Sequence, residues 1–416
     1  MSLRMDTLSR AQLIGGLIAS GALAACGAKS TTPSGSMCAL GVDESIVNEI
    51  FSDKVFNGLD KKALLAAFDP SPNIDALHQG YLAQVGQQPQ NTGVIMQIPS
   101  EGVVIQSPGT YRFGRDILWT PDNVTSSAIT IRCSNVTLDL AGFTLTASVS
   151  DKSQRTAGIL VEGPVEDITV TNGTVANLTE YGILARSVCN LSISRITATG
   201  LCMENIVIRN LTPTGIHVST AHDVAISECS VTHSNVTTDS SAGIQLMKTL
   251  EAKVSDCSTS DLVNNDGAVQ GFSSIVCANV TTTGCTAKTL QSFYNGNDKT
   301  SGHTVLGFVP IFCNNLSYLN CSASGLTGCC DDCHGMSVFL DAKVLVSGFH
   351  ASNVKDGSVH YNGKNVATNS GAKATGLEVY GAGVTVMDST VNDISAINPG
   401  DLQAAGFSAW GALIQF

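Results

Sequence analysis

The chain has 416 residues, of which 43% are hydrophobic, 13% charged and only 5% aromatic, with a formal net charge of −12. A charge of that sign excludes general affinity for DNA, RNA or acidic membrane surfaces, and it disfavours an anionic polymer as ligand unless a cation intervenes. The length would hold two or three ordinary domains, but a repeat spanning most of the chain predicts one long stacked core.

The first residues read as an export signal over 1–25. Arg4 and Arg10 precede the weakly polar run Ala11 to Ala25, too short for a comfortable membrane span. Leu23-Ala24-Ala25-Cys26 then resembles a bacterial lipobox. That resemblance implies cleavage before Cys26, a diacylglycerol on its sulfur, and an exported protein tethered to a membrane in the periplasm or at the cell surface. An ordinary secretory signal with small residues at its cleavage site is the alternative. Residues 26–36 have the composition of a flexible tether. In 37–90, the spacing of Ile46, Ile50, Val55, Leu59, Leu64 and Phe68 predicts one or two amphipathic helices, which would cap the open end of the repeat region.

From 91 to 416 the text is strand-like, apolar and polar residues alternating over three to five positions between turns. A glycine followed by apolar residues marks each unit: Gly158, Gly182, Gly215, Gly243, Gly271, Gly307, Gly335 and Gly376. Gly215, Gly243 and Gly271 are 28 apart, Gly307 follows after 36 and Gly335 after 28 more, so insertions lengthen a unit without losing its register. The longest, a hydrophilic stretch around Asp356 to Lys373, precedes Gly376. A unit of three short strands cannot bury its own apolar face and must stack on copies of itself, about 4.8 Å apart. The repeat resembles right-handed parallel β-helix proteins, the architecture of pectate lyases, polygalacturonases, uronan epimerases and periplasmic NosD-type proteins. It implies an all-β, single-stranded right-handed solenoid with a small N-terminal helical cap.

Six of the fourteen cysteines fall into the same register. Cys229, Cys257, Cys285 and Cys321 share one repeat position and Cys277 and Cys313 another, which predicts two buried ladders of small soft side chains.

Candidate chemistry gathers in the loop before each glycine. Asp239, His303 and Asp331 stand four residues before Gly243, Gly307 and Gly335, and Asp266 stands five before Gly271. The ladder spacing puts His303 and Asp331 about one coil apart. The densest piece is Cys329-Cys330-Asp331-Asp332-Cys333-His334. Asp331 and Asp332 would serve as acid and base or as calcium ligands, with His334 and His303 transferring or orienting protons; solvated turn residues are the plain alternative. Two residues after successive glycines come His217 and Gln245, expected on the solvent face with Arg186 and Lys248 nearby, as a substrate-binding groove for a sugar or another elongated ligand.

Asn264-Asn265-Asp266-Gly267 resembles the N-T-D-G element of polygalacturonases, and Asp331-Asp332 their paired aspartates. The chain has no separate G-H-G element and no R-I-K segment. Cys330-Asp331-Asp332-Cys333-His334 also satisfies C-x-x-C-H, the attachment signature of c-type haem, and Cys330, Cys333 and His334 would equally suit zinc or copper, or the two cysteines a disulfide. The leading expectation is an exported carbohydrate-active enzyme of lyase, epimerase or hydrolase type with a polysaccharide ligand. The alternatives are a metal or redox protein, a small-molecule isomerase or cyclase on the same scaffold, and a non-catalytic surface protein that binds glycans or a partner.

Overall fold

The computed structural model describes residues 91–122, 125–204, 212–293, 303–328, 332–356, 373–396 and 403–410. The signal, the tether, Cys26 and the helical cap expected over 37–90 lie outside the described residues. The described elements are strands, stacked in parallel as a right-handed parallel β-helix. The hand is the one that a right-twisted strand imposes on its crossover to a parallel neighbour.

The register predicted from the glycines is the register observed. Thr214–Ser227 pairs with Ser240–Ser255, followed in turn by Ala268–Ile275, Val305–Ile311, Cys333–Ser347, Lys373–Met387 and Gln403–Trp410. The residue after each glycine therefore forms one column, Ile216, Ile244, Phe272, Phe308, Met336, Leu377 and Phe407. Its neighbours in that column pack face to face along the axis: the Phe272 and Phe308 rings stack with centroids 4.8 Å apart and planes 5° off parallel. That distance is the coil spacing itself. One core runs along the axis from Ile95 to Val386.

The marking glycines are dictated by close approach. A Cβ on Gly215 would stand 2.3 Å from the Val231 side chain and 2.9 Å from the Gly243 carbonyl oxygen, so no other residue fits where the chain bends over the coil beneath it. The other corners are single residues in the left-handed region. Asp223, Glu251, Asn279, Asn315 and Lys343 hold φ between 53° and 57° at one repeat position, and Asn315 Nδ2 donates to Asn279 Oδ1 at 2.7 Å across two coils. Asn and Asp tolerate this conformation. A parallel column, Thr220, Lys248, Val276 and Phe312, turns the next corner, and there Val276 holds φ at 55° although it is β-branched. Such a residue is strained in that region.

Both cysteine ladders form, as buried free thiols. The Cys229 N–H donates to Cys257 Sγ at 3.4 Å and the Cys277 N–H to Cys313 Sγ at 3.3 Å. Asp341, 28 residues beyond Cys313, continues the second ladder: its carboxyl accepts from the Cys313 N–H and, at 3.1 Å, from the Phe339 N–H. Burial in the core holds that carboxyl well above the usual carboxylate range, with the two N–H donors pulling the other way.

Candidate functional site

One side of the solenoid carries a row of polar side chains from the strands that the glycines open. Two residues after each glycine the ladder reads His217, Gln245, Ser273 and Val309, and Ser337 pairs with Glu378 further on. One residue before each glycine it reads Thr214, Ala242, Gln270, Leu306, His334 and Thr375. His217 and Gln245, expected in solvent, are in fact buried at 8% and 3% exposure. Side chains in one column are about 4.8 Å apart and cover one another, and the Tyr181 ring lies 5.5 Å from the His217 imidazole. Alternation along a strand tells which side a residue faces, not what lies over it.

Several polar atoms of this row are buried without a hydrogen-bond partner: His217 Nδ1, Gln270 Oε1, Ser273 Oγ, His334 Nδ1 and Thr375 Oγ1. Buried polar groups in proteins are nearly always satisfied, and each one left unmade costs about 1–3 kcal/mol. Others of the same kind occur away from the row, at Ser126, Ser234 and Thr259. Burial pushes the His217 imidazole down to about 4; the Gln245 side chain draws it partly back and Arg186 lowers it further. His217 is therefore neutral at neutral pH and accepts or donates a hydrogen bond without charge.

The other end of the row holds a compact charge cluster drawn from adjacent coils. His334 Nε2 lies 3.3 Å from Glu378 Oε2 and 3.6 Å from Asp332 Oδ2, and Lys373 Nζ is ion-paired with Glu378 Oε1. His334, Glu378 and Lys373 are all buried, and Asp332 is half-buried. Two carboxylates at Nε2 favour a proton on that nitrogen, and Nδ1 makes no hydrogen bond among the described residues. A carboxylate that fixes the tautomer and orientation of an imidazole is the arrangement that general bases use. Lys373 offsets the charge of Glu378, which the core would otherwise not tolerate.

The remaining sequence candidates sit apart from this cluster or serve the scaffold. Asp239 is exposed and Asp266 and His303 are buried at the turn that precedes their coils' glycines. The polygalacturonase-like element is a turn tie: Asn264 Oδ1 accepts from the Thr238 and Asp266 N–H groups, and its Nδ2 donates to the Ala268 carbonyl at 3.1 Å. Arg186 is exposed with Nη2 3.4 Å from Glu162 Oε1, and Lys248 occupies a left-handed corner, so both stand at the far end of the strand rather than in the row. Cys330 and Asp331 lie outside the described residues.

Of the C-x-x-C-H residues, the described ones are Asp332, Cys333 and His334. Cys333 is a free, fully buried thiol in the hydrophobic core, whereas His334 faces Glu378 and Asp332. Cys333 and His334 thus face different surroundings, the core and the charge cluster. Among the described residues, no group of three or more His, Cys, Asp or Glu side chains is arranged to hold a metal ion.

Three members of the row escaped sequence reasoning. Glu378 stands two residues after Gly376, in the column of His217 and Gln245, and one further step along that column would have found it. Gln270, one residue before Gly271, shares the column of His334. Lys373 closes an irregular insertion, and nothing in its surroundings marked it.

The sequence matches no protein-family model and no curated relative. Among solved structures, the chain is similar in coil stacking to the A-module of the Azotobacter vinelandii mannuronan C-5 epimerase AlgE4, at 11% identity and a TM-score of 0.36 over 81% of this chain and 96% of that one. A hyperthermoactive exopolygalacturonase from Thermotoga maritima aligns at 11% identity and a TM-score of 0.33, over 85% and 87% of the two chains. The Streptococcus pneumoniae surface protein and adhesin PfbA aligns at 10% identity and 0.33, over 85% and 96%. Two of these neighbours are carbohydrate-active enzymes and the third is an adhesin; at this similarity what they share with the chain is the fold.

Proposed function

We propose that the protein is a carbohydrate-active enzyme of lyase, epimerase or hydrolase type, exported and lipid-anchored through Cys26, whose ligand lies along the row from His217 to Glu378. The observation that carries this reading is the row itself, polar side chains of successive coils that meet the His334–Glu378–Asp332 cluster at one end. A sugar, with a hydroxyl on most carbons, supplies donors and acceptors along its length and would satisfy them without a bound ion. In this reading His334 moves a proton through Nδ1, Glu378 and Asp332 hold its ring, and His217, Gln245, Gln270 and Ser273 line subsites. His303, Asp266 and Asp239 belong to the turns beside it, and in this reading Asp331 with Asp332 would be the calcium ligands of a reaction that uses the ion. Lys248 and Arg186 lie at its outer rim.

The test is incubation of the mature protein with a panel of polysaccharides in heavy water, with products read by mass spectrometry. Cleavage with loss of water marks a lyase, cleavage with gain of water a hydrolase, and deuterium uptake without cleavage an epimerase. His334→Asn is expected to abolish the change at intact folding. Turnover unaltered in both His334→Asn and Asp331→Asn would remove this assignment. The depth of burial favours a second reading, a small-molecule isomerase or cyclase enclosing its substrate; no change in any polysaccharide, with a shift in melting temperature on adding small polyols, would select it.

A further inference from the structure

We infer that Phe339 is the platform on which the ligand lies at the cluster end of the row, taking the C–H face of a pyranose ring. The inference rests on the glycan reading above and deepens it. Four residues after each glycine a further column runs on the side of the row, since alternate residues of a strand share a side: Ser219, Met247, Ile275, Ile311, Phe339 and Tyr380. It turns from polar to apolar and then to aromatic as it approaches the charge cluster. Ile275, Ile311 and Tyr380 are buried, whereas Phe339 is only half-buried. Phe339 stands two residues after Ser337, about 7 Å along the strand, and Ser337 pairs with Glu378 on the next coil.

The Phe339 ring is not consumed by stacking on its own kind. In the inner column the Phe272 and Phe308 rings lie face to face, 5° off parallel. Phe339 instead meets Phe312 at 73° and Tyr380 at 46°, with centroids 6.4 and 6.0 Å apart, so neither of these rings lies flat on it. The backbone aims and holds the ring. Register with the next coil shifts between Phe339 and Asp341, an irregularity of the kind that re-aims a side chain. Buried Asp341 fixes it: Oδ2 accepts from the Phe339 N–H at 3.1 Å, and the Phe339 carbonyl accepts from the Phe312 N–H at 3.1 Å. Both backbone groups of Phe339 are tied, and the platform need not be ordered when a ligand arrives. A pyranose suits this junction of surfaces. Its hydroxyls meet the polar columns of His334, Ser337 and Glu378, while the C–H bonds of its ring face lie on the electron-rich face of the aromatic ring.

The experiment is calorimetric titration of the full mature chain, as wild type, Phe339→Leu and Phe339→Trp. The probes are xylo-, cello- and manno-oligosaccharides and oligogalacturonate, each with calcium and with chelator. Phe339→Leu keeps an apolar side chain and removes the flat face, so the probes that wild type takes should bind it about tenfold more weakly. Phe339→Trp should bind as wild type does, and its emission, measured as the difference from wild type, should change along the same saturation curve. Wild-type affinity in Phe339→Leu, or a difference emission that stays constant while ligand binds, would overturn the inference and leave the glycan reading standing. Should Phe339→Leu fail to fold, the emission of Phe339→Trp decides alone. No binding of any probe to wild type would remove the glycan reading and this inference with it.

Discussion

Lowering the pH should destabilise the protein through His217, and the size of the effect can be worked from its burial. The imidazole is pushed from 6.5 down to about 4, so the folded state binds its proton less readily than the unfolded chain does. The stability that goes with a neutral, buried His217 is fully present above the unfolded value near 6.5 and is lost as the pH falls towards 4. At about 1.4 kcal/mol per pH unit, the interval amounts to about 3 kcal/mol. Carboxylates titrate in the lower part of the same range, so the informative quantity is the difference from His217→Gln, which keeps a neutral hydrogen-bonding side chain beside Gln245. Urea unfolding, followed by circular dichroism at steps from about pH 7 to about pH 4.5, gives both curves. Wild type should lose about 2–3 kcal/mol more than the variant across that range. Parallel curves would refute the burial argument, and with it the neutral imidazole on which the polar row depends.

The ion-paired cluster makes a second demand. Glu378→Gln leaves Lys373 buried without its ion-pair partner and should cost about 3–5 kcal/mol, while the double variant Glu378→Gln with Lys373→Met should recover most of it in a double-mutant cycle with Lys373→Met alone. Asp341 behaves oppositely to His217: its raised carboxyl pKa means that its contribution is present below about pH 4 and is lost as pH rises. Asp341→Asn should therefore gain on wild type with rising pH, and a gap independent of pH would rule this out. Val276→Asn should raise the urea midpoint by the equivalent of about 1 kcal/mol by relieving the left-handed corner; an unchanged or lower midpoint would show the corner unstrained.

The fold was legible because a solenoid writes its geometry into the sequence at a constant interval. Gly215, Gly243 and Gly271 repeat every 28 residues for one reason, the approach of each coil's backbone to the next, and Cys229, Cys257 and Cys285 keep the same interval inside. Insertions did not blur it, since they leave the chain before a glycine and return to register. The site was only half legible. The column that contains His217 and Gln245 is visible in the sequence, yet their burial is not, because covering depends on rings such as Tyr181 from the preceding coil. Contiguous text does not show pairing between coils. Cys333 and His334 are neighbours in sequence, yet Cys333 packs in the core while His334 meets Glu378, 44 residues further on. Pairing in this protein is a matter of one coil to the next, which a motif read along the chain does not see.

The six glycines from Gly215 to Gly376 open six coils, and no coil contributes more than a fragment of the row. Recognition is therefore modular, in the sense that its length is counted in turns of the solenoid. Duplicating one 28-residue unit between Gly243 and Gly271 would extend the platform by about 4.8 Å and leave the His217 and His334 ends chemically as they were, only further apart. Deleting the unit would bring them closer by the same step. A lineage built on this fold can thus retune the reach of its ligand by whole-unit gain or loss, without redesigning any residue that touches it.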